Sequence, residues 1–326
     1  MPTVAVVGAT GTQGSGVVSA LLSDPSFKVR GITTNLNSTH AQALLSKYAD
    51  KVKEERFSLV VGNLDDESTL KEALEGCDKL FAAFGPGPTP RDGETAEEVQ
   101  QGKNLVGAAK AEGINHFVYS SLKSMKEETK GQYTQVHHHE SKAAVEEYAK
   151  EHLECVTSVL PAAFYTNLNS RGWVRRDGDT VVFCAPFAEN VRLAWTAAEF
   201  DVGNYTLAIF KKGPEATREK SYLCTASTTQ SIAEIAADYH KITGEKVSIE
   251  PLSIEEGSRL TAEDMNADAS LAKELQDAFS WFNQAYANMP ADALKYPTGQ
   301  VFEELGVSAS TFRQYLERTG WRVKTH

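Results

Sequence analysis

The chain has 326 residues, of which 41% are hydrophobic and 24% charged, values that are ordinary for a soluble globular protein. Its 33 basic and 44 acidic side chains give a formal net charge of −11, which argues against a protein that tracks nucleic acid phosphates. No apolar run approaches the roughly 18–20 residues that cross a bilayer. The N-terminus lacks a basic signal region, and the four cysteines have no metal-binding or disulfide spacing. These features predict a cytoplasmic protein without direct contacts to membranes or nucleic acid.

Apolar, strand-like runs alternate with helix-length segments through the first half of the chain. The predicted strands are Val4–Val7, Phe27–Ile32, Phe57–Val61, Lys79–Phe84, His116–Ser120 and Cys155–Leu160. The predicted helices are a segment containing Val17 and Leu21 that ends at Asp24, followed by Thr39–Lys47, Asp66–Leu74, Glu94–Ala111 and His139–His152. Six strands alternating with helices predict a doubly wound parallel sheet of the α/β class.

The second half of the chain is less regular. Its predicted strands are Thr180–Cys184, Val191–Trp195, Ser221–Thr225 and Val247–Leu252, and its predicted helices are Ser231–Thr243 and the aromatic-rich Leu271–Ala287. The acidic segment Glu255–Asp268 is expected to be a solvated loop or lid. We therefore expect one domain over residues 1–165 and a smaller one over 166–326, with segments near 195–245 as candidates to return to the first.

A glycine-rich loop separates the first strand from the first helix. Its glycines are Gly8, Gly11 and Gly14, and the intervening polar residues that we expect at a cofactor are Thr10, Thr12 and Gln13. In this context the first glycine allows a tight turn, the second lets the backbone approach a pyrophosphate, and the third lets helix and strand pack closely. The amides at the helix start would then face the phosphates. The loop predicts a dinucleotide-binding site.

The end of the second predicted strand distinguishes the two nicotinamide dinucleotides. An NAD-selective site usually has a carboxylate there, bonded to the ribose hydroxyls. This chain has no acidic residue between Arg30 and Asp50; it offers instead the hydroxyl and amide side chains of Thr33, Thr34, Asn35 and Ser38. These groups can donate to a 2′-phosphate, with Arg30, Lys47 and Lys51 as candidate charge partners. The sequence therefore favours NADP(H).

Three segments should meet beyond the carboxyl ends of the later strands, where open parallel sheets bind ligands. They are Tyr119–Leu122, the start of the helix with His138 and Lys142, and Pro161–Tyr165. His138 and Lys142 are four residues apart and share a helix face, at the spacing where a short-chain dehydrogenase has Tyr and Lys. His137, His138 and His139 cannot converge on one metal ion, because consecutive helical residues point about 100° apart. We predict no metal site.

Several motifs together resemble the NmrA-like, atypical short-chain dehydrogenase/reductases. They are GATGTQGSGVV at the glycine loop, HFVYSS at residues 116–121, HxxxK at His138–Lys142, LPAAFYTNL at Leu160–Leu168, DVG at 201–203 and FEELG at 302–306. The resemblance implies a Rossmann-type sheet with a smaller C-terminal α+β domain over the nicotinamide end. Members often have Arg in place of Thr34 and Asp in place of Asn63, so this chain departs from the family on the adenosine side.

The predicted site residues follow from the loop, the spacing and this resemblance. Lys142 is expected at the nicotinamide ribose, residues Pro161, Ala162, Ala163 and Phe164 around the carboxamide, and Asn63 and Phe84 among the other cofactor contacts. His138 and Ser121 are the further catalytic candidates, although a packing histidine and a strand-ending serine are the alternatives. Tyr133, Tyr165 and Trp173, together with Trp195, are expected either to line a bulky apolar pocket or to pack in the core.

Two functions from different classes remain open on the sequence. The first is an NADPH-dependent oxidoreductase of secondary metabolism that acts on a bulky, apolar small molecule. Reducing a ketone requires a proton donor, and the usual tyrosine is absent, so C=N or conjugated C=C acceptors are favoured. The second is a redox sensor that binds NADP(H) without turnover and changes its affinity for a protein partner. Retention of Lys142 and the aromatic-rich second half favour the enzyme, and the sequence says nothing of the oligomeric state.

Overall fold

The computed structural model describes residues 1–85, 94–267 and 269–324 of the chain. Within these ranges the strands are β1 (Thr3–Val7), β2 (Lys28–Thr33), β3 (Phe57–Val61), β4 (Lys79–Ala82), β5 (His116–Ser120), β6 (Val156–Pro161), β7 (Ala163–Phe164), β8 (Val174–Asp177), β9 (Thr180–Phe183), β10 (Trp195–Thr196), β11 (Ser221–Cys224) and β12 (Lys246–Ile249). The helices are α1 (Thr12–Ser23), α2 (Thr39–Lys47), α3 (Ala49–Lys53), α4 (Glu67–Leu74), α5 (Glu94–Ala111), α6 (Met125–Glu128), α7 (His137–His152), α8 (Ala198–Lys212), α9 (Pro214–Thr217), α10 (Ile232–Thr243), α11 (Ile254–Asp264), α12 (Ala269–Ala285), α13 (Lys295–Leu305) and α14 (Phe312–Thr319). A 3₁₀ helix covers Tyr165–Asn169.

Seven parallel strands form the main sheet, in the order β11-β6-β5-β4-β1-β2-β3. The chain reverses direction across the sheet between β1 and β4, so the carboxyl ends of these two strands border the crevice where such sheets bind ligands. The predicted doubly wound sheet is confirmed. All six predicted strands are present, although β4 ends at Ala82, two residues before the predicted Phe84.

Helices cover both faces of this sheet because alternate strand residues point to opposite sides. Val4 and Val6 of β1 pack in one core with residues of α1 and α8. Ala5 and Val7 pack in the other core with residues of α4, α5 and α7. Among the described residues, no helix is both long and apolar enough to cross a membrane.

Helix α8 was not anticipated from the sequence, yet it packs closely against α1. A Cβ on Gly16 of α1 would lie 2.3 Å from the Glu199 carbonyl oxygen, and one on Gly203 of α8 would lie 2.3 Å from the Gly16 carbonyl oxygen. The two helices therefore meet backbone to backbone. Asp201 is fully buried and accepts hydrogen bonds from the Ala197 amide (2.8 Å) and from the Ser310 amide and hydroxyl (2.9 and 2.7 Å).

The second half of the chain combines a small sheet with an aromatic core. β9 pairs with β8 antiparallel and with β12 parallel. The core contains Tyr165, Trp173 and Trp195, together with Tyr239 of α10. β11, by contrast, joins the main sheet beside β6. The second half thus contributes one strand and one large helix to the first.

Two expectations for the second half are wrong. The segment Glu255–Asp268, expected as a loop or lid, is largely the helix α11; Asp268 lies outside the described residues. The helix forms because Ser253 caps its first turn and its small residues, Gly257, Ser258, Thr261 and Ala262, are buried on one face. Val191–Trp195 forms only isolated bridges before the two-residue strand β10.

Candidate functional site

The turn between β1 and α1 presents backbone amides without partners in the helix. The Gly11 amide donates to the Gly8 carbonyl oxygen (2.9 Å), and Gly11 is the N-cap of α1. No side chain caps this end, and its first turn contains no acidic residue. Since the first amides of a helix have no internal acceptor, those at the start of α1 remain available to an anion, and the helix dipole favours one.

The glycines of this loop differ in the space around them. A Cβ on Gly8 would lie 2.2 Å from the Ala83 carbonyl oxygen, and one on Gly14 would lie 2.0 Å from the Gly8 carbonyl oxygen. Gly8 lets the loop pack against Ala83, just after β4, and Gly14 lets the start of α1 pack against the loop. A Cβ on Gly11 would approach only the Gly8 oxygen, at 3.3 Å, and Gly11 is exposed. Gly11 is therefore the position where a side chain would project toward a ligand, so the loop fits a pyrophosphate.

Polar residues follow β2 at the same edge of the sheet. Thr34 and Asn35 are exposed, and the Ser38 hydroxyl caps α2 by accepting from the Ala41 amide (3.2 Å). The Thr33 hydroxyl oxygen accepts from the Asn35 amide (3.4 Å). Asn63, after β3, is also exposed. The local hydrogen bonds orient the loop without using the exposed hydroxyl of Thr34.

The three cations considered as partners for a 2′-phosphate are engaged elsewhere. Arg30 donates to the carbonyl oxygens of Ala73 (3.1 Å) and Glu75 (2.6 Å). The Lys47 ammonium lies over the Tyr48 ring, 5.1 Å from its centroid, and Lys51 pairs with Glu54 at 2.7 Å. The structure does not bring any of the three to the loop that follows β2.

Two serines at the end of β5 have different surroundings. The Ser120 hydroxyl donates to Gln13 Oε1 at 2.7 Å, which ties β5 to the glycine loop. Ser121 is fully buried, and its hydroxyl lies 3.4 and 3.5 Å from the carbonyl oxygens of Leu122 and Lys142. These contacts place Ser121 just after the end of β5 and against α7, and its catalytic role stays a prediction.

Lys142 is held at the end of β4 by two acceptors. Its ammonium donates to the Phe84 carbonyl oxygen and, at 2.8 Å, to Glu98 Oε1 on α5. The Ser141 hydroxyl donates to the other carboxylate oxygen of Glu98. The Glu98 side chain is 2% exposed and that of Lys142 14%. Two predicted residues, Phe84 and Lys142, are thereby joined by a hydrogen bond just after β4, whose pairing with β1 ends at Val7 and Ala82.

His138 is bound by a second buried carboxylate. Glu274 of α12 accepts hydrogen bonds from the His138 amide (3.0 Å) and from its Nδ1. Burial alone would raise the pKa of Glu274, but the hydrogen bonds and charge of His138 bring that pKa below its usual value. His139 points elsewhere, with Nδ1 2.8 Å from the Lys123 carbonyl oxygen. The start of α7 is therefore bound by two buried carboxylates: Glu98 through Ser141 and Lys142, and Glu274 through His138.

The NmrA-like family model matches residues 1–316, nearly the whole chain. The protein belongs to the NmrA-like family. Its relatives include the NmrA-like family domain-containing oxidoreductase malD of Malbranchea aurantiaca, 30% identical over 74% of this chain and 73% of that protein. The corresponding oxidoreductase FrzB of a Cladobotryum species is 28% identical over 76% of each chain.

Solved structures share the fold of this NmrA-like protein. NmrA, a negative transcriptional regulator, in complex with NADP has a TM-score of 0.72 at 22% identity, covering 98% of this chain and 95% of that one. Triphenylmethane reductase of a Citrobacter species, complexed with NADP(H), has a TM-score of 0.70 at 17% identity, covering 97% and 99%. These likenesses concern the fold.

The structure separates the aromatic candidates of this NmrA-like protein. Tyr165 stacks on Trp195, with ring centroids 5.6 Å apart, and Trp173 contacts Phe187 edge to face at 5.2 Å. Tyr165, Trp173 and Trp195 are buried, so core packing, their alternative, describes their contacts. Tyr133 is half-buried, and its hydroxyl donates to Gln284 of α12 (3.0 Å).

Residues Pro161 to Phe164 run between the two parts of the protein. All four are half-buried, and the Ala162 amide donates to the Cys224 carbonyl oxygen of β11 at 3.1 Å. Ala163 packs against the aromatic core and Phe164 against the core beneath α1. The segment therefore runs from the carboxyl end of β6 through β7, and its contact with the carboxamide stays a prediction.

Glu98 and Glu274 are the site residues that the sequence did not reveal. Each lies on a long helix, where a glutamate is usually solvated. The hint in the sequence is the pair of motif residues His138 and Lys142, because a polar group that is shielded from water requires a hydrogen-bond partner.

Proposed function

We propose that this NmrA-like protein is an NADP(H)-dependent oxidoreductase that transfers hydride to a bulky, largely apolar small molecule. The observation that carries the proposal is the placement of Lys142. Its ammonium is bonded to the Phe84 carbonyl oxygen, just after β4, and the neighbouring Ala83 carbonyl packs against Gly8 of the glycine loop. A cation and a phosphate cradle thus share one edge of the sheet, as a bound dinucleotide would require.

The residues present fit NADP(H). The amides of Thr12 and Gln13 would bind the pyrophosphate, and the polar side chains after β2 would donate to the 2′-phosphate, with no carboxylate to repel it. Lys142 would bind the nicotinamide ribose hydroxyls. The solved complexes of NmrA with NADP and of triphenylmethane reductase with NADP(H) support this assignment. When bound, NADPH supplies the hydride.

The substrate class follows from the proton donors that the chain offers. No tyrosine precedes Lys142 at the usual spacing; His138 stands there, with its Nδ1 already bonded to Glu274. A ketone would leave an alkoxide that needs a proton at the reacting atom, whereas hydride addition to an iminium gives a neutral amine. Conjugated C=C acceptors take their proton at a remote atom. We therefore favour C=N or conjugated C=C acceptors, and the fold shared with a triphenylmethane reductase agrees with this choice.

The test is NADPH oxidation against matched acceptors. Purified protein is incubated with NADPH and a triarylmethane cation, a quinone or an aryl ketone of similar size, and the loss of NADPH absorbance is followed. We expect turnover with the first two and little with the ketone. Lys142→Met should reduce the rate at least tenfold, roughly the loss of one charged hydrogen bond.

Lys150→Met is the matched control, because Lys150 lies two turns further along α7 and pairs with Glu146. It should leave turnover unchanged. A ketone reduced as fast as the cation, at a rate indifferent to Lys142→Met, would refute the proposed chemistry. NADPH binding without oxidation by any acceptor would instead support the alternative, a sensor that uses the same cofactor site to control a protein partner.

A further inference from the structure

Glu98 and Lys142 form an ion pair that ribose binding does not itself require. One carboxylate oxygen of Glu98 accepts from the Lys142 ammonium at 2.8 Å, and the other accepts from the Ser141 hydroxyl. Only 2% of the Glu98 side chain is exposed, so water contributes little to its solvation. The Lys142 ammonium and the Ser141 hydroxyl, each donating one hydrogen bond, compensate the carboxylate for the loss of water.

The pair makes the end of β4 electrically neutral. A lysine alone could donate to ribose hydroxyls. Burying a carboxylate beside it costs free energy unless the two charges pair with each other. What the Glu98 carboxylate adds is a negative charge, which offsets the electric field of the Lys142 ammonium. Such a field matters to a ligand whose charge changes at that point, because interactions are strengthened away from bulk water.

We propose that Glu98 sets the preference of the site between oxidised and reduced dinucleotide. The nicotinamide ring is positively charged in NADP⁺ and neutral in NADPH. An uncompensated Lys142 ammonium beside the nicotinamide ribose would disfavour only the oxidised form, and the Glu98 carboxylate removes that penalty. This inference rests on the proposed function, since it needs Lys142 to lie at the nicotinamide end.

The test is the ratio of the Kd for NADP⁺ to the Kd for NADPH, measured by calorimetry on the full chain. Glu98→Gln keeps the size of the side chain and should raise the ratio about tenfold, which corresponds to about 1.4 kcal/mol. Lys142→Met should lower the ratio, and the double variant should return it to within about twofold of the wild-type value. A merely structural role would weaken both ligands together and leave the ratio unchanged.

The matched control is Glu67→Gln, which breaks a Lys–Glu pair of the same 2.8 Å separation on the surface helix α4. It should not move the ratio. A change of less than twofold in the Kd ratio of Glu98→Gln overturns the inference. If Glu98→Gln does not fold, a change of less than twofold in the ratio of Lys142→Met overturns it instead. Wild-type protein that binds neither dinucleotide would overturn the proposed function as well, whereas binding of both with an unmoved ratio would overturn only the role of Glu98.

Discussion

Replacing Gly11 by valine separates phosphate binding from folding. Gly11 has an extended backbone, with φ −84° and ψ 174°, which valine adopts readily. Its Cβ would need only a small shift from the Gly8 carbonyl oxygen, 3.3 Å away. A Cβ on Gly14, in contrast, would lie 2.0 Å from the same oxygen and 2.5 Å from its carbon. Gly11→Val should therefore fold, whereas Gly14→Ala forces the backbone of the loop to move.

Gly11→Val should mainly weaken NADPH binding, whereas Gly14→Ala should mainly lower the free energy of unfolding. A valine at position 11 would stand between the ligand and the amides at the start of α1. Losing two amide–phosphate hydrogen bonds, each contributing about 1.5–3 kcal/mol, should weaken NADPH binding more than a hundredfold. The free energy of unfolding should fall by only about 1 kcal/mol, the usual effect of an unfavourable N-cap. Gly14→Ala should lower it by about 1–3 kcal/mol or more, as overpacking does.

Calorimetric titration with NADPH and urea unfolding, run on wild type and both variants, provide the two measurements. Gly11→Val that binds NADPH within about threefold of wild type would show that the loop does not hold the pyrophosphate. Gly14→Ala that unfolds at the wild-type urea concentration would show that the close approach of Gly14 to Gly8 is wrong.

Three further predictions concern charge. Thr34→Asp should shift the preference from NADPH to NADH, because two unit charges about 4 Å apart at an effective dielectric near 20 repel by about 4 kcal/mol before screening; titration with both dinucleotides measures this. His116 is fully buried, and burial, with a smaller effect of Lys79, lowers its pKa to about 3. The folded protein therefore binds fewer protons there than the unfolded chain, and stability should fall below pH 6.5, by about 2 kcal/mol at pH 5. His116→Gln should lose that portion of the pH dependence in urea unfolding. Glu274 has a lowered pKa, so its contribution is present above its unfolded pKa and lost on acidification. Glu274→Gln should cost about 1–3 kcal/mol near pH 7 and less only as the pH falls below the usual glutamate pKa of 4.5, and an equal cost at all pH values would refute the hydrogen bonds by which His138 lowers the pKa of Glu274.

The sequence predicts the main sheet well because its central strands, β1, β4 and β5, are buried on both faces. β1 contains four consecutive apolar residues before Gly8, a pattern typical of parallel strands. The sequence does not predict helix α8, because its start is stabilised by a residue that lies far away in the chain. Its N-cap, Ala197, has no capping side chain of its own; the Asp201 carboxylate binds the Ala197 amide instead, and Ser310 solvates that carboxylate from 109 residues further along the chain. Such a partner leaves no local signal.

The candidate site divides in the same way. The glycine loop and Lys142, which pattern and spacing single out, both contact the residues that follow β4, and their roles at a cofactor stay predictions. The carboxylates that hold the motif come from far away in sequence: Glu98 lies 44 residues before Lys142, and Glu274 lies 136 residues after His138. Only the packing of α5 and α12 against α7 reveals them.

The contact between Gly16 and Glu199 has a mechanical consequence. Because the backbones of α1 and α8 are in contact at Gly16 and Gly203, a relative shift of the two helices at this point would bring backbone atoms into collision. The glycine loop leads into the start of α1, and Asp201 of α8 is bonded to Ser310 near the end of the chain. The close helix contact therefore ties the glycine loop, through α1 and α8, to Ser310, which lies in the last part of the chain.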